Sequence, residues 1–267
     1  MKSARKFLSA IMVVSLAIAV GLCFGEASEK KFPIFDNMFY KGKPGTAPYG
    51  LIPSNVLYEN KIWPDPRDVG TLPDREAFQS FVRAAAVNPG PLVIDIESVS
   101  LRTPPETARH NAETLAKLAD WAREAAPGKT IGYYGTNTLS DIPQSNFAAA
   151  RELARHVDAL FPSLYTFDDD RSNWEKRAKT LLAQSRQLDA EKPVYFYLWP
   201  QYHQGTKKAL QYVDGDYWKF QLDTAHRYGN GIVLWSRSRD PWDPRSGWWQ
   251  ATVQFAASLR AVKADAQ

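Results

Sequence analysis

The chain contains the stretch Pro91-Leu92-Val93-Ile94-Asp95-Ile96-Glu97, an apolar run that ends in two carboxylates. A short continuous run rich in β-branched residues is typical of a strand buried in a parallel sheet. Side chains two positions apart on a strand point to the same side, so we expect Asp95 and Glu97 to share one side. Two adjacent acids repel each other, which raises the pKa of one of them. A glycosidase needs such a pair of acids, one of which keeps its proton near neutral pH.

An isolated acid pair also has a simpler explanation. Acids at strand ends often cap the following helix or pair with a nearby arginine. The pattern of the remaining chain therefore has to decide between a structural and a catalytic role.

Strands and helices alternate along most of the chain. The predicted strands are 32–40, 56–63, 92–97, 130–134, 157–164, 193–199 and 231–235. The predicted helices are 73–87, 104–125, 146–155, 169–188, 216–228 and 248–262. Apolar strands that alternate with helices indicate a parallel sheet covered by helices. We predict an α/β fold with a single (β/α) barrel domain of seven or eight strands over residues 28–267.

Residues 1–27 have the features of a secretory signal peptide. Three basic residues precede an uncharged, mostly apolar run over 7–22, and small residues follow it. That run is short for a full membrane span, so we expect cleavage rather than anchoring. Cleavage after Gly25 or Ala27 removes Cys23, the single cysteine, and leaves a protein without disulfides. We expect a secreted or periplasmic protein.

Charge and composition argue against several other classes. The chain has 33 basic and 29 acidic residues, without the basic excess expected of a nucleic-acid binder. No segment after the leader is long and apolar enough for stable membrane insertion. The four histidines lack metal-ligand spacing, and the run Asp168-Asp169-Asp170 lacks the spacing of a calcium loop and precedes a predicted helix. We predict no metal or cofactor, and we expect a monomer.

Aromatic residues follow the ends of the predicted strands. The stretches are Tyr133-Tyr134-Gly135, Pro162-Ser163-Leu164-Tyr165, Tyr195-Phe196-Tyr197-Leu198-Trp199 and Leu234-Trp235-Ser236. In a barrel the carboxyl ends of all strands form one face, which carries the active site. Any single aromatic residue is more often part of a core. An acid pair ringed by several tyrosines and tryptophans, however, is the composition of a carbohydrate cleft.

These motifs resemble, in the same order, those of the hyaluronidase family of glycoside hydrolases. The resemblance rests on Asp-x-Glu at 95–97, Gly-Tyr-Tyr-Gly at 132–135, Pro-Ser-x-Tyr at 162–165, Pro-Val-x-x-Tyr at 193–197 and Leu-Trp at 234–235. The chain departs from the family at Ser98-Val99-Ser100-Leu101, which lacks the Trp and Arg usual there, and in having no disulfides. These departures bear on the substrate more than on the reaction.

The resemblance implies a retaining hydrolase of polysaccharides that contain N-acetylhexosamine, with the substrate's acetamido oxygen as nucleophile. It implies that Glu97 is the general acid and that Asp95 and Tyr165 hold the acetamido group. It also implies that Trp235 packs against the acetamido methyl. Further candidates for substrate contacts are Tyr134, Tyr197 and Trp199.

Arg237 is a candidate for binding uronate carboxylates, although exposed loop arginines are more often simply solvated. Two other functions fit the same pattern. One is a muramidase-like or chitinase-like barrel, which also uses closely spaced acids at a strand end. The other is a barrel that binds polysaccharide without cleaving it.

Overall fold

The computed structural model describes residues 31–135, 142–237 and 240–265. The predicted signal peptide, 1–27, lies outside the described residues. The strands in this part of the chain are β1 (Ile34–Asn37), β2 (Ile52–Pro53), β3 (Asn55–Tyr58), β4 (Leu92–Asp95), β5 (Ile131–Tyr133), β6 (Tyr195–Leu198) and β7 (Gly231–Trp235). The α-helices are α1 (Glu59–Ile62), α2 (Arg75–Ala85), α3 (Pro105–Ala125), α4 (Phe147–Arg155), α5 (Arg171–Leu188), α6 (Gly215–Tyr228) and α7 (Gly247–Asp265).

The strands form two parallel sheets. One has the order β2-β1-β7-β6 and the other the order β3-β4-β5. Every strand pair in both sheets is parallel. Parallel neighbours require crossover connections, and helices supply most of them. The α/β class and the parallel sheets that the sequence predicts are confirmed.

The two sheets are joined at both of their sides. On one side β2 and β3 are separated by Ser54 alone, so 52–58 takes part in both sheets. On the other side the segment 160–163 forms parallel bridges to Tyr134, Val194 and Tyr197. The predicted strand at 157–164 is therefore a series of single bridges. Pro162 lies within it and has no N–H to donate to a regular ladder.

Several predicted strands end earlier than expected, and the largest difference is five residues. The strand predicted at 56–63 ends at Tyr58, because Glu59–Ile62 forms one turn of helix, α1. The polar residues at 59–61 interrupt the apolar pattern. Ile62 and Trp63 are buried in the apolar layer between the strands and the helices. This early turn places Tyr58 and Glu59 at the carboxyl end of the sheet.

Aspartate side chains cap the first N–H groups of α2, α5 and α6. The Asp74 carboxylate accepts a hydrogen bond from Ala77 N at the start of α2. Asp170 accepts from Ser172 N and Asn173 N at the start of α5. Side-chain acceptors at this position replace the missing intrahelical partners. The acidic run 168–170 therefore contributes a helix cap, as its place before a predicted helix suggests.

Apolar side chains fill two layers. The larger layer lies between the strands and the helices and contains Leu92, Ile94 and Ile96. The smaller layer, the inner cluster, lies on the opposite side of the strands and consists of Phe35, Val93, Ala159, Phe161, Tyr165, Tyr197, Trp199 and Val233.

Gly132 makes room for the inner cluster. A Cβ atom there would lie 2.4 Å from the Phe161 ring and 2.6 Å from the Ala159 carbonyl oxygen. Glycine is the residue that permits this approach, since it has no side chain.

Candidate functional site

The acid pair lies at the carboxyl end of β4. Asp95 is the last residue of the strand and pairs in register with Tyr58 of β3. Ile94 and Ile96 are 0% and 1% exposed on the helix-facing side, so the alternation of the strand continues beyond its last paired residue. Asp95 and Glu97 both line one cavity on the other side. The structure thus brings the two predicted acids together.

Burial gives Asp95 an unusual proton affinity. The pKa of Asp95 is raised to about 7, first by burial and then by the charges of Glu97 and Glu59. Its Oδ1 atom is buried and accepts no hydrogen bond from any described residue. Burial without a partner disfavours the charged carboxylate. Asp95 therefore keeps a proton at mildly acidic pH.

The cavity above the strands has a volume of about 230 Å³. We call it the acid cavity. Its lining residues are Asn37, Asp95, Glu97, Tyr134, Tyr165, Tyr197, Trp199, His203, Gln204 and Trp235. Seven of the eight residues that the sequence singles out are among them. The eighth, Arg237, is exposed and does not line the acid cavity.

Three aromatic rings form one wall of the acid cavity. The Tyr165 and Trp235 rings stack with their centroids 5.7 Å apart and their planes 21° apart. The Trp199 ring packs edge-on against Tyr165 at 5.5 Å and against Trp235 at 5.0 Å. Trp199 is only 1% exposed, and its indole N–H donates to Gln201 Oε1. Trp199 therefore supports the wall, while the more exposed Trp235 offers a larger surface to a ligand.

Three tyrosine hydroxyls form a polar part of the lining. The Tyr134 hydroxyl donates to Ser163 Oγ at 3.3 Å and also forms a hydrogen bond with Tyr165. Asn37 is hydrogen-bonded to the Tyr197 hydroxyl. Burial raises the pKa of Tyr134, Tyr165 and Tyr197, so all three stay protonated near neutral pH. They are preorganised neutral hydroxyl groups beside the acid pair.

Three residues that line the acid cavity were not singled out by the sequence interpretation, which treats His203 as an ordinary histidine. Asn37 ends β1 and pairs in register with Trp235, while His203 and Gln204 lie in the connection between β6 and α6. Tyr58 lies beside Asp95 in an adjoining cavity of about 430 Å³. Asn37 and Tyr58 reach the site because of the strand register. The sequence could have predicted that register only with the correct strand ends. The connection that contains His203 has no sequence pattern that predicts an inward-facing side chain.

The acid cavity shares lining residues with two further cavities. The adjoining cavity on one side is lined by Tyr58, Glu59, Asn60, Lys61, Asp95 and Glu97. A third cavity, of about 150 Å³, begins at Glu97 and Tyr134 and extends along 99–102. Glu97 lines all three cavities and is exposed at their junction. Such a continuous depression can hold several units of a chain-like ligand with the acid pair in the middle.

The described residues 31–135, 142–237 and 240–265 contain no group of three or more His, Cys, Asp or Glu side chains placed to hold a metal ion. The same part of the chain contains no helix with the length and apolar character of a membrane span.

Comparison with known proteins supports the fold. No protein-family model matches the chain, and no curated protein matches its sequence. Bee venom hyaluronidase has a similar structure, with a TM-score of 0.60 at 13% identity, over 86% of this chain and 98% of that one. Its complex with a hyaluronic acid tetramer gives a TM-score of 0.61 at 15% identity, over 86% and 96% of the two chains.

A second enzyme also has a similar structure. An endo-beta-1,3-glucanase from Amycolatopsis mediterranei, solved with laminaritriose, has a TM-score of 0.50 at 13% identity, over 85% of this chain and 99% of that one. Both enzymes are glycoside hydrolases with TIM-barrel folds. At these identities the similarity shows a TIM-barrel fold alone, and the resemblance seen in the sequence motifs is matched by this similarity in structure.

Proposed function

We propose that this protein is a hyaluronidase-like glycosidase that cleaves N-acetylhexosamine linkages in a polysaccharide. The observation that carries the proposal is the pairing of a half-buried Asp95 with an exposed Glu97 in a cavity walled by Tyr165 and Trp235. A polar recess beside an apolar ring surface fits an acetamido group, which has an N–H, a carbonyl and a methyl. The similar fold of bee venom hyaluronidase, solved with a hyaluronic acid tetramer, supports this substrate class.

The proposal includes a closed barrel of seven strands. Its support is that residues 52–58 belong to both sheets and that 160–163 bridges β5 to β6. Counting 52–58 as one strand and 160–163 as another gives a ring of seven. A closed ring would place the acid cavity at the carboxyl ends of all strands, where barrel enzymes carry their active sites.

The first chemical step uses both acids. Glu97 donates its proton to the glycosidic oxygen while the acetamido oxygen attacks the anomeric carbon and the glycosidic bond breaks. A cyclic oxazolinium forms, with its positive charge shared by the acetamido nitrogen. Asp95 accepts the N–H of this group and stabilises the charge. Tyr165 hydrogen-bonds the same group, and Trp235 packs against its methyl.

The second step returns the catalyst to its starting state. Glu97, now ionised, takes a proton from water, and the water oxygen attacks the anomeric carbon and opens the oxazolinium ring. The proton ends on Glu97 and the acetamido group is restored. Two attacks from opposite faces of the sugar give retention of configuration.

The proton balance of the pair suits this mechanism. The raised pKa of Asp95 means that Asp95 keeps a proton up to about pH 7. A substrate N–H that binds Asp95 favours its charged form, and Asp95 then gives up its proton beside Glu97. Substrate binding thus prepares the general acid.

The remaining sequence expectations belong to the same proposal. The chain would be exported through the 1–27 leader, act outside the cytoplasm as a monomer, and take a carbohydrate rather than a nucleic acid as ligand. Export would bring it into contact with extracellular polysaccharide.

A screen for released reducing ends tests the proposal. The protein is incubated with hyaluronan, chondroitin, chitin and peptidoglycan, with laminarin as a control polymer that lacks acetamido groups. We expect release from at least one of the four N-acetylated polymers and none from laminarin. Release from chitin or peptidoglycan alone would favour the chitinase-like or muramidase-like alternative. Binding without release from any polymer would favour a non-catalytic barrel.

A further inference from the structure

Glu59 is hydrogen-bonded to Ser98, the residue that directly follows Glu97, the proposed general acid. Its Oε2 atom accepts a hydrogen bond from Ser98 N at 2.9 Å, and its Oε1 atom accepts one from Ser98 Oγ at 2.6 Å. Glu59 and Ser98 are 39 positions apart in the chain. Both oxygens of one carboxylate are thus used on a single residue next to Glu97.

The register of the sheet explains this contact. Tyr58 is paired with Asp95 in the last step of the β3–β4 ladder. Beyond that step β3 turns into α1. The segment after β4 continues through Ile96 to Glu97 without ladder pairing. The Glu59 side chain, which begins one residue past Tyr58, bridges the gap. It accepts the backbone N–H that a longer ladder would have engaged.

Glu59 also faces the acid pair electrostatically. It lines the adjoining cavity together with Asp95 and Glu97. Its negative charge contributes to the raised pKa of Asp95, after burial and the charge of Glu97. The other titratable groups around Asp95 are Tyr58, Lys61, Tyr134, Tyr165, Tyr197 and His203. Among these neighbours Glu59 is the acid that lies outside the strand of the pair.

We propose that Glu59 is a positioning residue for the acid pair, which fixes the backbone at Glu97 through Ser98 and keeps a third negative charge beside Asp95. The inference rests on the proposed function, because it assigns Glu97 the proton transfer. It also gives a role to the Ser98 segment, where the motif departs from the Trp and Arg usual in the hyaluronidase family. A misplaced acid loses rate steeply, since proton transfer requires hydrogen-bond distance to the glycosidic oxygen.

Two matched variants separate the two roles. Glu59→Gln keeps an acceptor for Ser98 N and removes the charge. Glu59→Asp keeps the charge and shortens the side chain by one methylene, so that it no longer reaches Ser98 in the same geometry. The wild-type chain and both variants are assayed on the polymer identified in the screen, from pH 4 to 9, for kcat and KM separately.

We expect opposite results for the two variants. Glu59→Asp should lower kcat by about 10- to 100-fold, with KM within about threefold of wild type and an unchanged pH profile. Glu59→Gln should keep kcat within about threefold at its optimum, while the loss of activity at high pH moves to lower pH because Asp95 ionises more readily. Wild-type kcat in Glu59→Asp, or an unmoved profile in Glu59→Gln, would overturn the proposal.

Two further measurements do not depend on activity. Hydrogen exchange of the Ser98 amide should be slow in wild type and Glu59→Gln and faster in Glu59→Asp. Carbon-13 NMR of the Asp95 carboxyl should show a lower pKa in Glu59→Gln than in wild type. If the wild type releases no reducing ends, the proposed function fails while these two measurements still decide on Glu59. Equal exchange in all three proteins together with an unchanged Asp95 titration would exclude the positioning role.

Discussion

The inner cluster and the acid cavity occupy the same sides of the same strands, yet their chemistry is opposite. On β4, Val93 belongs to the inner cluster and is fully buried, whereas Asp95, two residues further along, is a half-buried acid with a raised pKa. On β7, Val233 is followed in the same way by Trp235 at the cavity. Burial of apolar side chains stabilises the fold, while burial of an unpartnered carboxyl costs stability. The strands thus change from packed apolar residues to residues of the candidate site within one side-chain repeat.

Tyr165, Tyr197 and Trp199 belong to both regions. Their rings pack into the inner cluster, and one part of each faces the acid cavity. This shared layer keeps the cavity walls fixed, because buried side chains in a dense core have little freedom to move. The comparison therefore predicts that inner-cluster substitutions change stability, and that substitutions at the acids and hydroxyls change mainly activity or pH dependence.

The largest effect on stability is expected at Phe161 in the inner cluster. Phe161 is fully buried, and its ring packs 5.5 Å from Tyr195 and 6.3 Å from Tyr197. Phe161→Ala should lower the free energy of unfolding by about 3–5 kcal/mol, measured by urea denaturation. Phe81→Ala on α2, where the side chain is 37% exposed, serves as the control and should lose about 1 kcal/mol or less. Equal losses at both positions would contradict the conclusion that the inner cluster contributes more to stability than an exposed helix residue does.

Asp95→Asn is expected to remove a pH-dependent loss of stability. The folded-state pKa of Asp95, about 7, lies above the ordinary value of 3.8, so the folded state binds more protons between these pH values. The free energy of unfolding should therefore fall as pH rises from about 4 to about 7, by about 2–4 kcal/mol. The Asn variant keeps the shape without the titration.

Thermal unfolding at pH 4, 6 and 8 checks this result. The Asn variant should become the more stable of the two proteins at pH 8 and lose that advantage at pH 4. An identical pH dependence in both would show that Asp95 titrates at its ordinary value.

Tyr165→Phe should reduce activity without affecting the fold. The variant keeps the ring that stacks on Trp235 and deletes the hydroxyl beside the acid pair. Loss of one preorganised hydroxyl should lower kcat by about 10- to 100-fold. Steady-state kinetics give the effect, and unchanged thermal unfolding serves as the internal control. Full activity would mean that the hydroxyl has only a packing role.

The smallest effect is expected at Arg237. It is exposed and lies outside the acid cavity, so any contact with a uronate would be in solvent, where an ion pair contributes about 1 kcal/mol or less. Arg237→Ala should change KM for hyaluronan by about fivefold at most and leave KM for chitin unchanged. A larger loss, reversed by the Lys variant, would place the arginine at a substrate carboxylate.

The sequence predicts the alternation of strands and helices because apolar periodicity reports which side of each element is buried. It predicts the aromatic strand ends because Tyr134, Tyr165, Tyr197 and Trp235 follow strands whose order along the chain matches a known set of motifs. These residues meet in the structure because parallel strands bring all their carboxyl ends to one face. The alternating pattern thus predicts, without any knowledge of contacts, that these residues line one cavity.

The same reasoning misses residues that depend on where a strand stops. Tyr58 and Glu59 are placed by the turn into α1, which polar residues begin within an otherwise strand-like stretch. The segment 160–163 bridges its neighbours without forming a regular ladder, because Pro162 cannot donate a hydrogen bond. His203 reaches the cavity from a connection whose path is set by tertiary packing, including a ring contact with Phe167 at 4.7 Å. Local propensity carries no information on such long-range choices.

The most direct test of the account compares wild type with Glu97→Gln on the N-acetylated polymer identified in the screen. Reducing-end release and polymer binding are measured on the same preparations. Removal of the general acid should lower kcat by about 10²- to 10⁴-fold, while polymer affinity and thermal unfolding stay near wild type. A Glu97→Gln variant that releases reducing ends at the wild-type rate would contradict the account.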